Sequence, residues 1–193
     1  MKKLSTLYKK DTNDLGRVIN EVNPENEWVF KNGIPTRKFD GTSCAIIDGE
    51  LYKRFDLKKG RTLPPNSIPC QEPDEITGHH PHWTKCERND NSNKWHFQAF
   101  EKMLKNTIVN ANFDPKKFDG TYELCGKKVQ GNPEKIEGHE LIKHGCEVLD
   151  ISDFSFYGLK SFLEVTDIEG IVFHDSKSDK MCKIRKSDFG IRR

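Results

Sequence analysis

The chain has 193 residues, of which 34% are hydrophobic and 32% charged, and its formal net charge is +2. This length allows one large domain, and the composition is too apolar for a disordered chain. A charge this close to zero does not by itself indicate a nucleic-acid partner. No apolar run is long enough for a membrane span or a secretory leader, so we expect a soluble, intracellular protein without a membrane partner.

The first half of the chain contains one clear hairpin. Residues 1–30 are polar with a weak helical pattern, and residues 34–40 lead into a strand at 43–47. Asp48-Gly49 is a two-residue turn signal, and residues 50–55 return as a second strand. A proline-rich loop is expected over 57–92, where a loop of this length is typically functional or mobile.

The second half mixes helices with strands. Apolar residues recur at helical spacing from Phe97 onward and predict a helix over 94–110, with Asn93 as its N-cap. The next predicted elements are a strand at 120–126, a loop at 127–138 and a strand pair at 141–142 and 146–149. Ser155 is the expected cap of a helix that runs to Leu163. Two strands at 169–174 and 181–186, joined by a turn at 175–179, complete the prediction. The pattern indicates an α+β fold of mainly antiparallel sheets with flanking helices.

Six cysteines are spread along the chain without tight paired spacing. Several lie in apolar segments with the sequence pattern of a strand, so we interpret them as buried, reduced thiols. Cys70, His79, His80, His82 and Cys86 invite a zinc interpretation, but their spacing differs from that of common zinc sites. The alternatives are a loop that closes on a nucleotide or RNA and a plain surface loop.

Lys38 is the first candidate for chemistry. It precedes the predicted hairpin in the sequence Lys-Phe-Asp-Gly-Thr, and the same five residues recur from Lys117. A free lysine amine, with a pKa of about 10.4, is a poor nucleophile at neutral pH, and burial or nearby positive charge makes a lysine more reactive. Four residues are also compatible with a surface lysine before a turn.

Charged residues inside apolar strands add to the signal. Glu123 and Glu169 interrupt two apolar strands, and Lys183 and Arg185 lie two residues apart on one face of a third. A charge in such a position is costly unless it is paired or functional. Each one alone fits a structural ion pair, whereas together they fit a phosphate and metal site.

The order of these segments resembles motifs I, III, IV and V of the covalent nucleotidyltransferases, which comprise DNA ligases, RNA ligases and mRNA capping enzymes. The matching segments are Lys-Phe-Asp-Gly (38–41), Tyr-Glu-Leu-Cys-Gly (122–126), Glu-Gly-Ile-Val (169–172) and Lys-Ile-Arg-Lys (183–186). The text at 70–79, 121–133 and 168–174 is most similar to the animal-type 5′-to-3′ RNA ligase family. In that superfamily motif I lies many tens of residues before motif III. Lys38 lies 85 residues before Glu123 (123 − 38) and Lys117 only six (123 − 117), so the resemblance favours Lys38.

The resemblance implies a set of roles. Lys38 would carry AMP, with Lys183 and Arg185 as the other catalytic cations, which contact the α-phosphate of ATP. Arg54, Glu123 and His144 would contribute to ATP binding, Glu123 through a ribose hydroxyl. His144, Phe154 and Phe156 are the candidates to stack on adenine, and core packing suits the two Phe. Glu169 would bind Mg²⁺ or Mn²⁺. The expected RNA contacts are Asp40, Arg54, Lys58, Lys59 and Arg61.

Two positions depart from the pattern of the superfamily. Arg37 stands before the lysine, where relatives often have an acidic residue, which puts adenine preference in doubt. Arg185 stands where many relatives have lysine, and a guanidinium presents a fork rather than a point charge to phosphate.

The resemblance thus implies an ATP-dependent RNA ligase that joins 5′-phosphate and 3′-hydroxyl ends through lysyl-AMP and an RNA-adenylate. We expect a monomeric, single adenylation domain over residues 1–193, without an OB-fold or helical domain after motif V. A DNA ligase or a capping-type enzyme is the first alternative. A catalytically silent nucleic-acid-binding domain and a zinc-binding interaction module are the others.

Overall fold

The structure is a computed structural model that describes residues 4–58, 60–73, 78–107 and 114–193. The chain divides into two compact units. The central unit is Asp40–His144, and the terminal unit combines residues 4–39 with Gly145–Arg193. The expectation of a single catalytic domain stays a prediction.

Strands dominate both units. The strands are β1 (Tyr8–Lys10), β2 (Val18–Val22), β3 (Gly33–Lys38), β4 (Thr42–Ile47), β5 (Glu50–Leu57), β6 (Ile68–Pro69), β7 (His80–Lys85), β8 (Gly120–Gly126), β9 (His139–Lys143), β10 (Gly170–Asp175) and β11 (Met181–Arg185). The α-helices are α1 (Val29–Asn32), α2 (Lys94–Thr107) and α3 (Phe156–Val165). The paired strands named here are antiparallel, which confirms the α+β class with mainly antiparallel sheets.

The central unit is built on a six-stranded sheet in the order β6-β7-β5-β4-β8-β9. Alternating residues of β4 and β8 form one buried cluster with α2, including Cys44, Ile46, Tyr122 and Leu124. Since successive side chains of a strand point to opposite faces, the intervening residues lie on the other face of the sheet.

The β4–β5 hairpin forms as its sequence predicts. Asp48 and Gly49 both have positive φ, 52° and 78°, as the favoured two-residue hairpin turn requires. The carboxylate of Asp119 accepts hydrogen bonds from both turn amides at 2.9 Å. Asp119, in the second Lys-Phe-Asp-Gly segment, is therefore a turn anchor, and Lys117 beside it is exposed in a short 3₁₀ turn.

The terminal unit contains a three-stranded sheet in the order β11-β10-β3 and a small β1–β2 hairpin. Residues 5–7 run beside β11, where Ser5 O accepts from the Lys183 amide and Lys183 O accepts from the Leu7 amide, at 2.9 and 2.8 Å. Helix α3 begins at Phe156, and Ser155 is its N-cap as predicted, with a side chain that accepts from Gly158 N. Leu159 and Leu163 of α3 belong to the core cluster of this unit.

Residues 57–92 contain strands, although a loop was predicted there. In this segment β7 pairs with both β5 and β6. Pro81 lies just past the two residues of β7 that pair with β6, so its missing N–H faces the end of that short strand, and its carbonyl still accepts from Cys70 N at 2.9 Å. Asn93 is not the N-cap. A 3₁₀ turn capped by Asp90 leads directly into α2, and the Asn93 amide bonds Lys53 and Glu87 instead.

Three other predictions need correction or completion. Residues 4–30 form mainly β1 and β2, and helical structure is limited to a 3₁₀ turn at Pro24–Asn26 and the start of α1. The segments 141–142 and 146–149 do not pair with each other, because β9 pairs with β8 and residues 147–149 bond to β3. The end of the predicted helix, residues 108–110, lies outside the described residues.

The cysteines are largely as expected. None of the six forms a disulfide, and Cys44, Cys86, Cys125 and Cys182 are buried, whereas Cys146 is exposed. In the part of the chain that the structure describes, no helix combines the length and apolar character that crossing a membrane demands.

Candidate functional site

A polar face of the terminal sheet carries the candidate cations. Ile171 and Phe173 of β10 and Cys182 and Ile184 of β11 are fully buried on the core side. Residues that pair directly across strands share a face. The register therefore places Lys38, Lys183 and Arg185 together on the opposite face. Alternation along the strands, predicted for Lys183 and Arg185, also brings Lys38 to this face.

Lys38 ends β3 and forms an ion pair with Glu169. The Lys38 Nζ donates a short hydrogen bond to Glu169 Oε2, and the two side chains keep 24% and 22% of their surface exposed. The backbone carbonyl of Glu169 also accepts from the Lys186 amide at 3.0 Å, which ties the start of β10 to the end of β11. The lysine is thus held by a partner that lies next to the sheet, with access left to a ligand.

Lys183 is the most perturbed amine of the site. Burial, followed by the charges of Arg185 and Lys38, lowers the pKa of Lys183 from 10.5 to about 8. Asp188 and Glu169 act in the opposite direction and do not offset these effects. The three cations are close enough for mutual repulsion, which a bound anion would relieve.

Arg185 is oriented by Asp188, which is fully buried. The Asp188 carboxylate accepts from the Arg185 amide at 2.8 Å, from Nε at 3.3 Å and from Nη2 at 3.0 Å. Lys10 of β1 donates to the same carboxylate at 2.6 Å. The hydrogen bond to Asp188 raises the pKa of Arg185. Burial alone would raise the pKa of Asp188, but the hydrogen bonds from Arg185 and Lys10 hold it below its usual range.

Gly170 separates Arg185 from Lys38 in one cross-strand row. It pairs with both residues, and it contributes no side chain between them. A Cβ at Gly170 would lie 2.4 Å from the Ile184 carbonyl oxygen and 2.8 Å from the Arg185 Cα. Only glycine therefore allows the close approach of β10 and β11 at this row.

The central unit has a polar face of its own, opposite α2. Ser43 pairs with Glu123 and Trp83 with Arg54, and the register of β4 and β5 continues to bring Ser43 beside Arg54. One row of this face is thus Trp83, Arg54, Ser43 and Glu123. The Ser43 hydroxyl oxygen is buried without a hydrogen-bond partner in the described part of the chain. A buried unpaired hydroxyl is costly, so it marks a polar position that a ligand could satisfy.

Glu123 and His144 form a hydrogen-bonded pair in the central unit. His144 Nε2 lies 2.9 Å from Glu123 Oε2, and Nδ1 lies 2.9 Å from the Thr121 hydroxyl. Because a carboxylate only accepts, Nε2 carries the proton of this bond. Both ring nitrogens are engaged, so the ring is fixed in orientation while the carboxylate retains capacity for a further donor. A ribose hydroxyl is such a donor.

The predicted RNA contacts are less organised. Arg54 donates to Asp56 Oδ1 at 2.9 Å, and the Asp40 amide donates to Glu134 Oε1 at 2.9 Å. Lys58 and Arg61 are exposed, and Arg61 N donates to Lys58 O at 3.0 Å in a turn. Lys59 lies outside the described residues. Their role in RNA binding stays a prediction.

The aromatic candidates for adenine separate by their packing. Phe154 and Phe156 both pack against the core cluster of the terminal unit, and Phe154 contacts Phe173 edge-on at 5.2 Å between ring centroids. Core packing is therefore what the structure supports for these two residues. Arg37, the departure from the superfamily pattern, lies 3.4 Å from Glu147 Oε1 and over the ring of Phe39 at 4.7 Å.

Metal ligands are sparse in the described residues. No group of three or more His, Cys, Asp or Glu residues is arranged there to hold a metal ion, in the segment 70–86 or elsewhere. Mg²⁺ is commonly held by only one or two carboxylates together with water and substrate phosphates. Glu169, beside the cationic face, is compatible with that mode of binding.

Two polar residues of these faces were not singled out from the sequence. Ser43 stands in an apolar strand, and a single serine gives no signal until the register places it beside Glu123. Asp188 follows β11 in a short polar segment and reads as an ordinary surface carboxylate, although it is fully buried. The close spacing of Arg185 and Asp188, three residues apart, was the available hint.

No model of a protein family matches the chain, and no curated protein matches it either. The assignment of function therefore depends on the ordered motifs and on the geometry of the two polar faces.

Proposed function

We propose that this protein is an ATP-dependent RNA ligase that works through a lysyl-AMP intermediate on Lys38. The observation that carries the proposal is the polar face of the terminal sheet, where Lys38, Lys183 and Arg185 lie together and Glu169 pairs with the lysine. Partly buried cations that repel one another are costly to a fold and are typical of sites that bind anions. The four ordered motifs supply the reason for choosing a nucleotide.

In the first step the Lys38 ammonium releases a proton to solvent, and the neutral amine attacks the α-phosphorus of ATP. A P–N bond forms and the nitrogen releases its second proton, while the bond from the α-phosphorus to the bridging oxygen breaks and pyrophosphate leaves. Lys183 and Arg185 stabilise the negative charge on the α-phosphate oxygens as the reaction proceeds. Glu169 would hold part of the shell of a divalent cation, which offsets phosphate charge when bound. By the resemblance, Glu123 is assigned to the ribose, Arg54 to the ribose or a terminal phosphate, and His144 to the adenine.

In the second step an oxygen of a 5′-phosphate RNA end attacks the lysyl-AMP phosphorus. The P–N bond breaks as its nitrogen takes up a proton from solvent, which restores the amine of Lys38, and an RNA-adenylate forms. In the third step a 3′-hydroxyl loses its proton and attacks the 5′-phosphorus of that adenylate. A phosphodiester forms and AMP leaves. The terminal sheet supplies the same two cations at each of the three displacements.

The test uses the whole chain with α-labelled ATP and Mg²⁺ or Mn²⁺, followed by a denaturing gel. We expect the wild type to become labelled and Lys38→Ala to lose the label. Lys117→Ala is the matched control, because Lys117 is followed by the same four residues as Lys38 but is exposed in a turn of the central unit. We expect this variant to be labelled normally. Labelled Lys38→Ala protein would overturn the assignment.

The nucleic acid is tested separately. Labelled protein is given a 5′-phosphorylated RNA, and lysyl-AMP, RNA-adenylate and joined product are resolved. Joining of nicked DNA but not RNA would favour a DNA ligase, and labelling by GTP rather than ATP would favour a capping-type enzyme. Wild-type protein that takes no label from either nucleotide would leave a silent nucleic-acid-binding domain as the better account.

A further inference from the structure

The polar face of the terminal sheet is supported by a part of the chain outside the four motifs. Residues 5–10 precede the first motif by 28 residues (38 − 10), yet they contact both candidate phosphate cations. Ser5 and Leu7 bond the amide and carbonyl of Lys183, and Lys10 shares the Asp188 carboxylate with Arg185. Asn26 donates to the Thr6 carbonyl at 2.9 Å and to the Ser5 hydroxyl at 3.0 Å, which holds this segment in place.

We propose that Asp188 is a positioning residue that, with Lys10 as its second partner, orients the Arg185 guanidinium toward a phosphate. This inference rests on the proposed function and deepens it. The carboxylate itself is fully buried and does not touch a substrate. It acts through Arg185, whose side chain keeps 33% of its surface exposed.

The geometry gives the reason for this role. Asp188 engages Nε and Nη2, which form one edge of the planar guanidinium, and the backbone amide of the same residue. Fixing that edge fixes the plane, and the remaining N–H donors keep a defined direction. An arginine without this partner would lose its orientation on a solvent-accessible sheet face, and a displacement of about 1 Å costs on the order of 10²-fold in rate.

Lys10 has a distinct part in the arrangement. Two cations share the buried carboxylate, and Lys10 Nζ is the closer of them at 2.6 Å. Removing Lys10 leaves Asp188 with Arg185 alone, so the guanidinium keeps its main partner. We therefore expect a smaller effect from Lys10→Met than from Asp188→Asn. Lys9 is the natural control, since it is the neighbouring residue of β1 and pairs with the exposed Glu21 at 3.0 Å.

The experiment is a pair of double-mutant cycles on the full chain, read out as the single-turnover rate of protein labelling by ATP. We expect Asp188→Asn to lower the maximal rate about 10²-fold, with a smaller change in the ATP concentration for half-saturation. In an Arg185→Ala background Asp188→Asn should have no further effect, because its action passes through the missing guanidinium. Lys10→Met should lower the rate about threefold to tenfold and also lose its effect in that background, whereas Lys9→Met stays within about twofold of the wild type.

Effects that multiply with that of Arg185→Ala would overturn the inference, because a merely structural residue acts whether or not Arg185 is present. If Asp188→Asn does not fold, the cycle of Lys10→Met with Arg185→Ala decides the question alone. If the wild type takes no label, the proposed function fails. The inference is then tested by calorimetric binding of inorganic tripolyphosphate, where Arg185→Ala and Lys10→Met should each weaken binding without adding to one another.

Discussion

Replacing Lys183 by methionine should stabilise the fold while removing the proposed activity. Lys183 is partly buried beside Arg185 and Lys38, and its pKa is lowered to about 8. In the unfolded chain a lysine titrates near 10.4. The unfolded state therefore binds more protons than the folded state between these values. Lys183 thus destabilises the fold most below about pH 8, and the penalty decreases as the pH rises toward 10.

The magnitude follows from the shift in pKa. A lowering from 10.5 to about 8 corresponds to a penalty of about 3 kcal/mol at pH 7, which falls to about 2 kcal/mol at pH 9. Methionine has a similar length and no charge, so it retains the packing of the aliphatic stem. We expect Lys183→Met to be more stable than the wild type by an amount of this order at pH 7.

Urea unfolding followed by circular dichroism at pH 7 and pH 9 measures both quantities. The difference in the free energy of unfolding between Lys183→Met and the wild type should decrease by about 1 kcal/mol from pH 7 to pH 9. Lys9→Met, a change at the surface of the same unit, should leave the stability within about 0.5 kcal/mol at both pH values. Labelling by ATP should be lost in Lys183→Met, because the cation is no longer present to stabilise the α-phosphate.

A destabilised Lys183→Met protein at pH 7 would refute this reasoning. It would mean that the attraction of Glu169 and Asp188 for the amine exceeds the cost of its burial and of its cationic neighbours. If the difference in the free energy of unfolding stayed constant between pH 7 and pH 9, the amine would titrate normally in the folded state. If Lys183→Met were more stable than the wild type but still fully labelled by ATP, Lys183 would destabilise the fold without taking part in the proposed reaction.

Two other substitutions test packing, one at Gly170 of the terminal sheet and one at His96 of α2. Gly170→Ala should lose about 1–3 kcal/mol in urea unfolding, because its Cβ would lie 2.4 Å from the Ile184 carbonyl oxygen, while Gly138→Ala, with nothing within 4 Å, should lose little. His96 has no hydrogen-bond partner for either ring nitrogen in the described residues, and burial, then the charge of Lys53, lowers its pKa to about 4. Since the unfolded state binds the proton first, His96 alone should cost the wild type about 3 kcal/mol of stability as the pH falls from 6.5 to 4, in addition to the loss from other groups. His96→Leu should lose less stability by about this amount, and equal losses in the two proteins would contradict this role.

Local signals in the sequence predicted the parts of the fold that are set by neighbours in the chain. Asp48-Gly49 predicted its hairpin because the favoured two-residue turn needs positive φ at both positions, and both have it. Ser155 predicted the start of α3 because its hydroxyl replaces a missing backbone acceptor. The alternation of Lys183 and Arg185 with buried Cys182 and Ile184 predicted both a strand and the shared face of the two cations.

Strand pairing over long distances overrode other local signals. Prolines and histidines around Pro81 suggested a loop, but β7 is held by β5 and β6, and its Pro81, His82 and Trp83 are buried. The N-terminal segment has a weak helical pattern, but residues 5–7 bond to Lys183 nearly 180 residues away in the chain. Such pairing depends on which edges are left open in the sheet, and composition does not encode that.

Some residues of the candidate site could be predicted from the sequence, and others could not. Residues in apolar strands, such as Glu123 and Lys183, could be selected because a charge there is costly without a function. Asp188 and Ser43 could not, because their significance comes from partners that the fold brings to them. The sequence therefore indicates the charged groups of the site more readily than the groups that orient them.

The most direct measurement locates the AMP on the protein. Wild-type protein is incubated with ATP and a divalent cation, quenched at alkaline pH to preserve the P–N bond, digested and mapped by mass spectrometry. We predict a single adenylylated peptide with the modification on Lys38. AMP on Lys183, on Lys117 or on no residue would contradict the central claim that Lys38 is the nucleophile.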